Sequence, residues 1–294
     1  MKAATIARAG VATRRRRWAG AAWMCRGPRP AIGIGLLVLL LVGAGGAPWL
    51  APHDPMQSDL RLRLRPSSAE YPLGTDWIGR CVLSRLLHGI RLTLALGLLT
   101  VAGGAAVGVA LGLVAGYYGG PLEMVIMRTT DLLLAFPYFL LTIVFVAVLG
   151  PSLVNATIAI AMWTVPQYIR LVRSVVLATK SREFVEAARA LGRPEPALLL
   201  RHIFPACVPT LIVQSAVFSA QNMLMGASLS FLGLGAQPPS PELGAMLGAG
   251  RAYLRVAPQV VAVPAVGIFL AVVAFNFLGD ALRDRLDPGL SHGA

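Results

Sequence analysis

Residues 180–205 read KSREFVEAARALGRPEPALLLRHIFP, and this one charged run, set between two long apolar stretches, organises the chain. Residues 132–169 before it and 203–241 after it contain no Asp, Glu, Lys or Arg. Within the run the local signals are helical. Ser181 suits an N-cap, residues 182–191 are good helix formers, and Gly192 stands where a left-handed C-terminal residue is wanted. Pro194 fits the first turn of a second helix, and Pro205 lies where the next apolar stretch begins. The pattern predicts helix, turn, helix. Ala187, Ala188 and Ala190 give the first helix a low profile. Phe184 and Leu191 supply apolar anchors beside Glu183, Glu186 and Arg189, as helix-in-groove recognition requires. A plain solvated loop is the alternative, but it needs neither the caps nor the small-residue face.

Outward from this run, the sequence is dominated by segments long enough to cross a bilayer, which takes about 20 apolar residues. Of 294 residues 56% are hydrophobic and 13% charged, against roughly 25% charged in soluble domains. Residues 31–50 form the first uncharged segment and residues between Arg91 and Glu123 the second. The run from Leu132 to Ile169 is too long for one helix and divides at Gly150-Pro151, giving a third and a fourth. A fifth ends near residues 233–235, and a sixth runs from about Pro258 to Gly279. Six spans are expected, in an all-α polytopic membrane protein.

The net charge of +13 would suggest nucleic acid in a soluble chain, but its placement argues otherwise. Arginines crowd the tail 1–30 and the loop after span four, where Arg170, Arg173, Lys180, Arg182, Arg189, Arg193 and Arg201 fall. Six spans put both segments and the tail 281–294 on one side, the cytoplasm by the positive-inside rule. Segment 51–91 is basic on the opposite side, but it is long and carries four acids. The N-terminus also has the look of a cleaved signal peptide, though its apolar run exceeds the usual 7–15 residues of a signal core. Cys25, Cys81 and Cys207 are odd in number and widely spaced, so they read as unpaired. The four histidines are scattered, which leaves no metal site and no catalytic constellation.

Three segments carry more than length. Gly104, Gly108, Gly112 and Gly116 recur every four residues in span two, so they share one face that lets another helix approach closely. That face serves packing inside the chain or contact with another subunit. Residues 79–91 read as a short amphipathic helix capped by Thr75 or Asp76, either lying at the outer membrane surface or leading straight into span two. In span five, Gln214, Phe218, Gln221 and Met225 recur at helical spacing near Ser215, Ser219 and Asn222. This polar stripe lines a path for a polar solute or ties helices together by hydrogen bonds. No intramembrane carboxylate or histidine relay is visible, which disfavours an ion-coupled secondary transporter. A non-transporting membrane scaffold remains a further alternative.

Glu186-Ala187-Ala188, followed by Gly192 and then Pro205, resembles the EAA loop of binding-protein-dependent ABC importer permeases. GTDWIGR at 74–80, DLLLAFP at 131–137, ASLSFLGLGAQPP at 227–239 and AFNFLGDALRDRLDP at 274–288 extend the resemblance. Together they look like the C-type permease subunit of dipeptide, oligopeptide and nickel importers, over roughly residues 31–288. Local departures are Cys81 in place of Asp, Leu243 in place of Trp, and Ala206 in place of Asn.

The resemblance implies a MetI-like ABC type-1 importer transmembrane fold with an extra N-terminal span. It implies a core over 92–280 and a periplasmic segment over 51–91. It implies location in a bacterial cytoplasmic membrane and pairing with a homologous permease subunit. Two cytoplasmic ATPases would bind ATP and Mg and receive a coupling helix at 182–192. An external solute-binding protein, periplasmic or lipid-anchored, would deliver the cargo. This chain would itself bind no cofactor or nucleic acid and catalyse nothing.

Overall fold

The computed structural model of the chain describes residues 28–286; the arginine-rich tail, Cys25 and the end of the C-terminal tail lie outside that range. Regular structure among the described residues is helical, apart from an isolated bridge between Thr75 and Cys81. The first helix, α1, spans Pro28–Gly45. After an irregular segment, α2 runs unbroken over Val82–Tyr118, 37 residues free of proline. It stops at Gly119, whose φ of 71° is outside the helical region. Residues 82–91 are therefore the first turns of α2 and not a separate interfacial helix. The cap position falls to Cys81, without a side-chain hydrogen bond, and not to Thr75 or Asp76.

The third expected span has a different shape. α3 covers Gly120–Leu134 and α4 covers Tyr138–Leu149, and the two meet at 91°. The break falls in DLLLAFP. Pro137 has no N–H to continue the helix, and it pushes Phe136 away from helical geometry. Gly150, with φ 90°, then ends α4 before α5 (Leu153–Lys180). α6 is Glu183–Ala190. A single turn at Glu195–Leu198 and a π-helical turn at Leu199–Ile203 run directly into α7, Phe204–Phe231. The second helix of the charged run is thus the start of span five. α8 (Leu243–Gly250) and α9 (Gln259–Leu286) complete the chain.

Among the described residues, three helical runs are long and apolar enough to cross a membrane: 82–118, 195–231 and 259–286. The bent pair α3–α4 makes a fourth if it counts as one span, and the apolar part of α1 is shorter. α5 has the length but carries Asn155, Thr157, Thr164, Gln167, Arg170 and Arg173 along it. Most of these groups are bonded within the protein: Asn155, Thr157 and Thr164 to backbone carbonyls, and Arg170 and Arg173 to carboxylates of α3.

α2 and α5 form the spine, and the glycine stripe is the reason. A Cβ on Gly104 would lie 2.6 Å from Thr164 Cβ, one on Gly108 2.5 Å from Tyr168 Cβ, and those on Gly112 and Gly116 2.8 Å from Val172 Cβ and Val176 Cβ. Both helices repeat every four residues, so the surfaces mesh turn by turn. In lipid, where apolar burial gives little advantage between helices, this close contact is a main source of cohesion. α7 packs across the spine, α8 and α9 close around α7, and α1 packs on α9 and α2, joined through a cluster of Leu40, Leu94, Met223, Leu243 and Phe275. Leu243 is fully buried, wedged between Gly89 of α2 and Gly267 of α9.

Candidate functional site

At the end of the bundle that carries residues 180–205, α6 is a rigidly seated helix with one open face. Its C-terminus is closed by two bonds, Gly192 N–H to the Arg189 carbonyl at 2.9 Å and Arg193 N–H to the Ala188 carbonyl at 3.3 Å. With Gly192 at φ 75°, these make a Schellman cap. At the other end Arg182, not Ser181, occupies the cap position, without a side-chain hydrogen bond. Glu183 and Glu186 in the first turn and Arg189 in the last complement the helix dipole.

The seat is apolar. Val185 is fully buried in a cluster with Leu113, Val172, Val176, Leu199, Ile203 and Cys207. Ala188 is buried beside it, so it belongs to the seat, whereas sequence reasoning put it on the open face. Glu183, Phe184, Glu186, Ala187, Leu191 and Gly192 are all exposed. Leu191, at 84% exposed, and Phe184, at 46%, are unpartnered apolar groups on an otherwise charged helix.

Polar contacts stiffen the surroundings. The Lys180 ammonium donates to the Gly116 carbonyl at 3.0 Å, where a cation suits the C-terminal end of α2. Arg173 pairs with Glu123, and Arg170 with Asp131 at 2.6 Å, so α3 is tied to α5 twice. In the sequence these arginines only marked a side of the membrane; their partners lie about 40 to 50 positions away.

In the middle of the bundle, Asn222 joins four helices. Its amide donates to Thr100 Oγ1 of α2 at 3.0 Å and to Thr164 Oγ1 of α5 at 3.1 Å, while the Tyr138 hydroxyl of α4 donates to its oxygen at 3.3 Å. Ser215 bonds the Tyr168 hydroxyl at 2.6 Å, and Ser219 donates to the Ser215 carbonyl. Two members of the polar cluster of span five, Ser215 and Asn222, therefore serve helix-to-helix bonding, and Ser219 bonds within its own helix. The stripe of Gln214, Phe218, Gln221 and Met225 does not converge on one surface. Phe218 is buried edge-on against Tyr168, Met225 packs partly against a core around Leu96 and Ile160, Gln221 is exposed, and Gln214 lines a cleft between α7 and α9.

The opposite end is built around GTDWIGR. Asp76 accepts from the Ile78 and Arg80 backbone N–H groups at 3.0 Å each and from Arg80 Nε at 2.6 Å. Gly79, at φ 83°, has the Asp59 carbonyl against its Cα, where no side chain fits. Arg85, also buried, donates to the carbonyls of Pro55, Pro239 and Ser240 at 3.1–3.3 Å and clamps the two outer segments onto α2. Glu242, with no exposed surface, caps α8 through the Ala245 N–H at 2.9 Å and accepts from Thr93. Burial holds its carboxyl above the usual range. Neither Arg85 nor Glu242 was singled out from the sequence, because nothing local marks a residue whose partners come from distant loops.

An all-α bundle with several membrane-length helices and a solvent-facing helix closed by Gly192 at one end is the architecture of a polytopic membrane subunit. The fold is that of a chain of the MetNI methionine ABC transporter in its inward-facing conformation, with a TM-score of 0.57 at 18% identity, covering 69% of this chain and 96% of that one. The chain belongs to the family described as binding-protein-dependent transport system inner membrane component, the permease subunits of ABC importers, which residues 108–292 match. It is 45% identical to the glutathione transport system permease protein GsiD of Pectobacterium atrosepticum, over 88% of this chain and 87% of that protein. It is 42% identical to the dipeptide transport system permease protein DppC of Haemophilus influenzae, over 87% and 90%. It is 43% identical to the di/tripeptide transport system permease protein DppC of Pseudomonas aeruginosa, over 88% of each.

Proposed function

We propose that this chain is one of two homologous permease subunits in an importer of short peptides or a peptide-like solute such as glutathione, with a nickel chelate as the related alternative cargo. The names of its relatives point to peptide and glutathione cargo. In this reading the chain crosses the bacterial cytoplasmic membrane six times with both termini inside. α1, the bent α3–α4 pair and the polar α5 serve as spans beside the three long apolar runs. An external solute-binding protein delivers cargo to segments 51–91 and 234–257. Two cytoplasmic ATPases bind ATP and Mg; this chain hydrolyses nothing.

The observation that carries the reading is α6, a helix closed at its C-terminus by a Schellman cap and seated by Val185 and Ala188, with Phe184 and Leu191 left facing solvent. A rigid seat transmits force, and exposed apolar anchors need a groove. ATPase closure would push on α6, and α6 would pass the push to α5 and α7, on which its seat is built. Nucleotide state would thereby bias the bundle between inward- and outward-facing arrangements. Glu186→Ala and Gly192→Val are expected to abolish ATP-dependent uptake of a labelled dipeptide while leaving membrane insertion intact. Normal uptake by both variants at equal expression would refute the coupling role.

A further inference from the structure

A cleft of about 640 Å³ separates the ends of α7 and α9 that lie nearest residues 180–205. The two helices touch at Gly279, where a Cβ would meet Val217 Cγ2 at 3.3 Å and Ala216 Cβ at 3.5 Å. Beside that point the gap is lined by residues between 206 and 217 on α7 and between 279 and 286 on α9. Thr210, Gln214 and Val217 recur at helical spacing, as do Gly279, Asp280 and Arg283, so each helix turns one face to the gap.

The polar lining is unspent. Ser215, Ser219 and Asn222 on the neighbouring faces of α7 are all hydrogen-bonded within the bundle. Thr210, Gln214, Asp280 and Arg283 bond to no other described residue, and Asp280 and Arg283 form no ion pair although they are three residues apart on one face. The cleft thus presents one anion, one cation, an amide and a hydroxyl, against walls of Ala206, Pro209 and Val213. Its volume falls in the roughly 300–1,000 Å³ range of small-molecule sites. Asp280 and Arg283, both solvent-exposed, place a carboxylate and a guanidinium one turn apart without pairing, which matches a small molecule that carries both an ammonium and a carboxylate.

We infer that this cleft is a binding site for a short zwitterionic peptide at the cytoplasmic end of the pathway, with Asp280 receiving the terminal ammonium and Arg283 the terminal carboxylate. Thr210 and Gln214 bond the peptide group between them. The inference rests on the importer reading above and names the part of the chain that holds the cargo before release. It departs from the stripe suggested by span five, of which only Gln214 reaches the cleft.

The test is equilibrium dialysis of the assembled permease–ATPase complex, without binding protein or nucleotide, against radiolabelled dialanine, N-acetyl-dialanine and dialanine amide. The wild type is expected to prefer dialanine over each blocked peptide by about tenfold, the weight of one charge-assisted hydrogen bond. Asp280→Asn should erase the preference over the N-acetyl peptide alone, and Arg283→Gln the preference over the amide alone. Equal binding of all three peptides by the wild type, or none, overturns the site. So does a uniform loss for all three peptides in either variant, which a contact with an ATPase or a helix-packing role would produce. Uptake of dialanine by wild-type proteoliposomes supplied with the binding protein separates the two readings. Uptake with an indifferent cleft removes only the site, and no uptake removes the peptide-importer reading itself.

Discussion

Gly108 of α2 sits so close to Tyr168 of α5 that a Cβ on the glycine would lie 2.5 Å from the tyrosine Cβ and 2.6 Å from the Val165 carbonyl. The contact is backbone against side-chain root, so neither partner can swing away. It is one of four equivalent contacts along the spine, and the tyrosine it locates in turn bonds Ser215 and meets Phe218 of α7 edge to face.

Gly108→Ala is therefore expected to be destabilising, by about 1–3 kcal/mol of overpacking. Gly35→Ala in α1, where nothing lies within 4 Å of the added methyl, should be neutral or slightly stabilising, since alanine is the better helix former. Thermal midpoints of the two variants in one detergent make the comparison. Equal midpoints would show that the spine is not close-packed.

Asn222→Leu removes the amide that joins α2, α4, α5 and α7, taking one of two bonds from each of the buried Thr100 and Thr164 hydroxyls and the bond of the half-buried Tyr138 hydroxyl. The expected cost is roughly 1–3 kcal/mol. Ser228→Ala, which deletes only a bond within its own helix, should cost much less. Hydrogen exchange at α4 offers a second readout, because Tyr138 is the one α4 side chain that bonds Asn222.

Leu191→Asp and Val185→Asp should separate docking from seating. Leu191 is almost fully exposed, so its replacement is expected to lower recovery of the ATPase with the permease while leaving the melting temperature unchanged. Val185 is completely buried, and a carboxylate there should lower the melting temperature as well. An unchanged ATPase yield with Leu191→Asp would argue that the open face of α6 is not a docking surface.

Glu242 predicts a pH dependence of definite sign. Burial raises its carboxyl above the ordinary range, so the neutral form favours the folded state. That contribution is complete below the unfolded carboxyl pKa and disappears as pH climbs through the raised folded value. Glu242→Gln keeps a neutral side chain at every pH. Its melting temperature relative to wild type should rise as the pH climbs upward from the ordinary carboxyl range. A constant difference over that climb would mean that Glu242 is ionised in the fold.

Breaking the outer clamp should be costly. Asp76→Ala strands the buried guanidinium of Arg80, removes the carboxylate 3.7 Å from Arg85 Nε, and unties two backbone N–H groups. Removing one member of a buried ion pair costs roughly 3–5 kcal/mol. Limited proteolysis should show it first, as new cleavage within residues 51–81.

Much of the architecture was legible because it is written in local spacing. Apolar runs, the glycine period, the cap at Gly192 and the charge asymmetry each depend on residues within a few turns of one another. The errors have an equally local cause. A hydropathy reading sees no difference between a straight span and one broken at Pro137, because Phe136-Pro137 is as apolar as its surroundings. The same reading places an interfacial helix at 79–91, since amphipathicity does not reveal that the backbone continues straight into α2.

What the sequence alone determined is that this chain is a helical membrane protein with a charged helix, closed by Gly192, between two apolar runs. Tertiary structure decided that the glycine face meets α5, that Asn222 ties helices, and that Ala188 turns inward while Leu191 turns out. The reason is range. Thr100 and Asn222 are 122 positions apart and Thr164 and Asn222 are 58 apart, and no periodicity along the chain encodes which of several polar or small faces will meet when the helices pack.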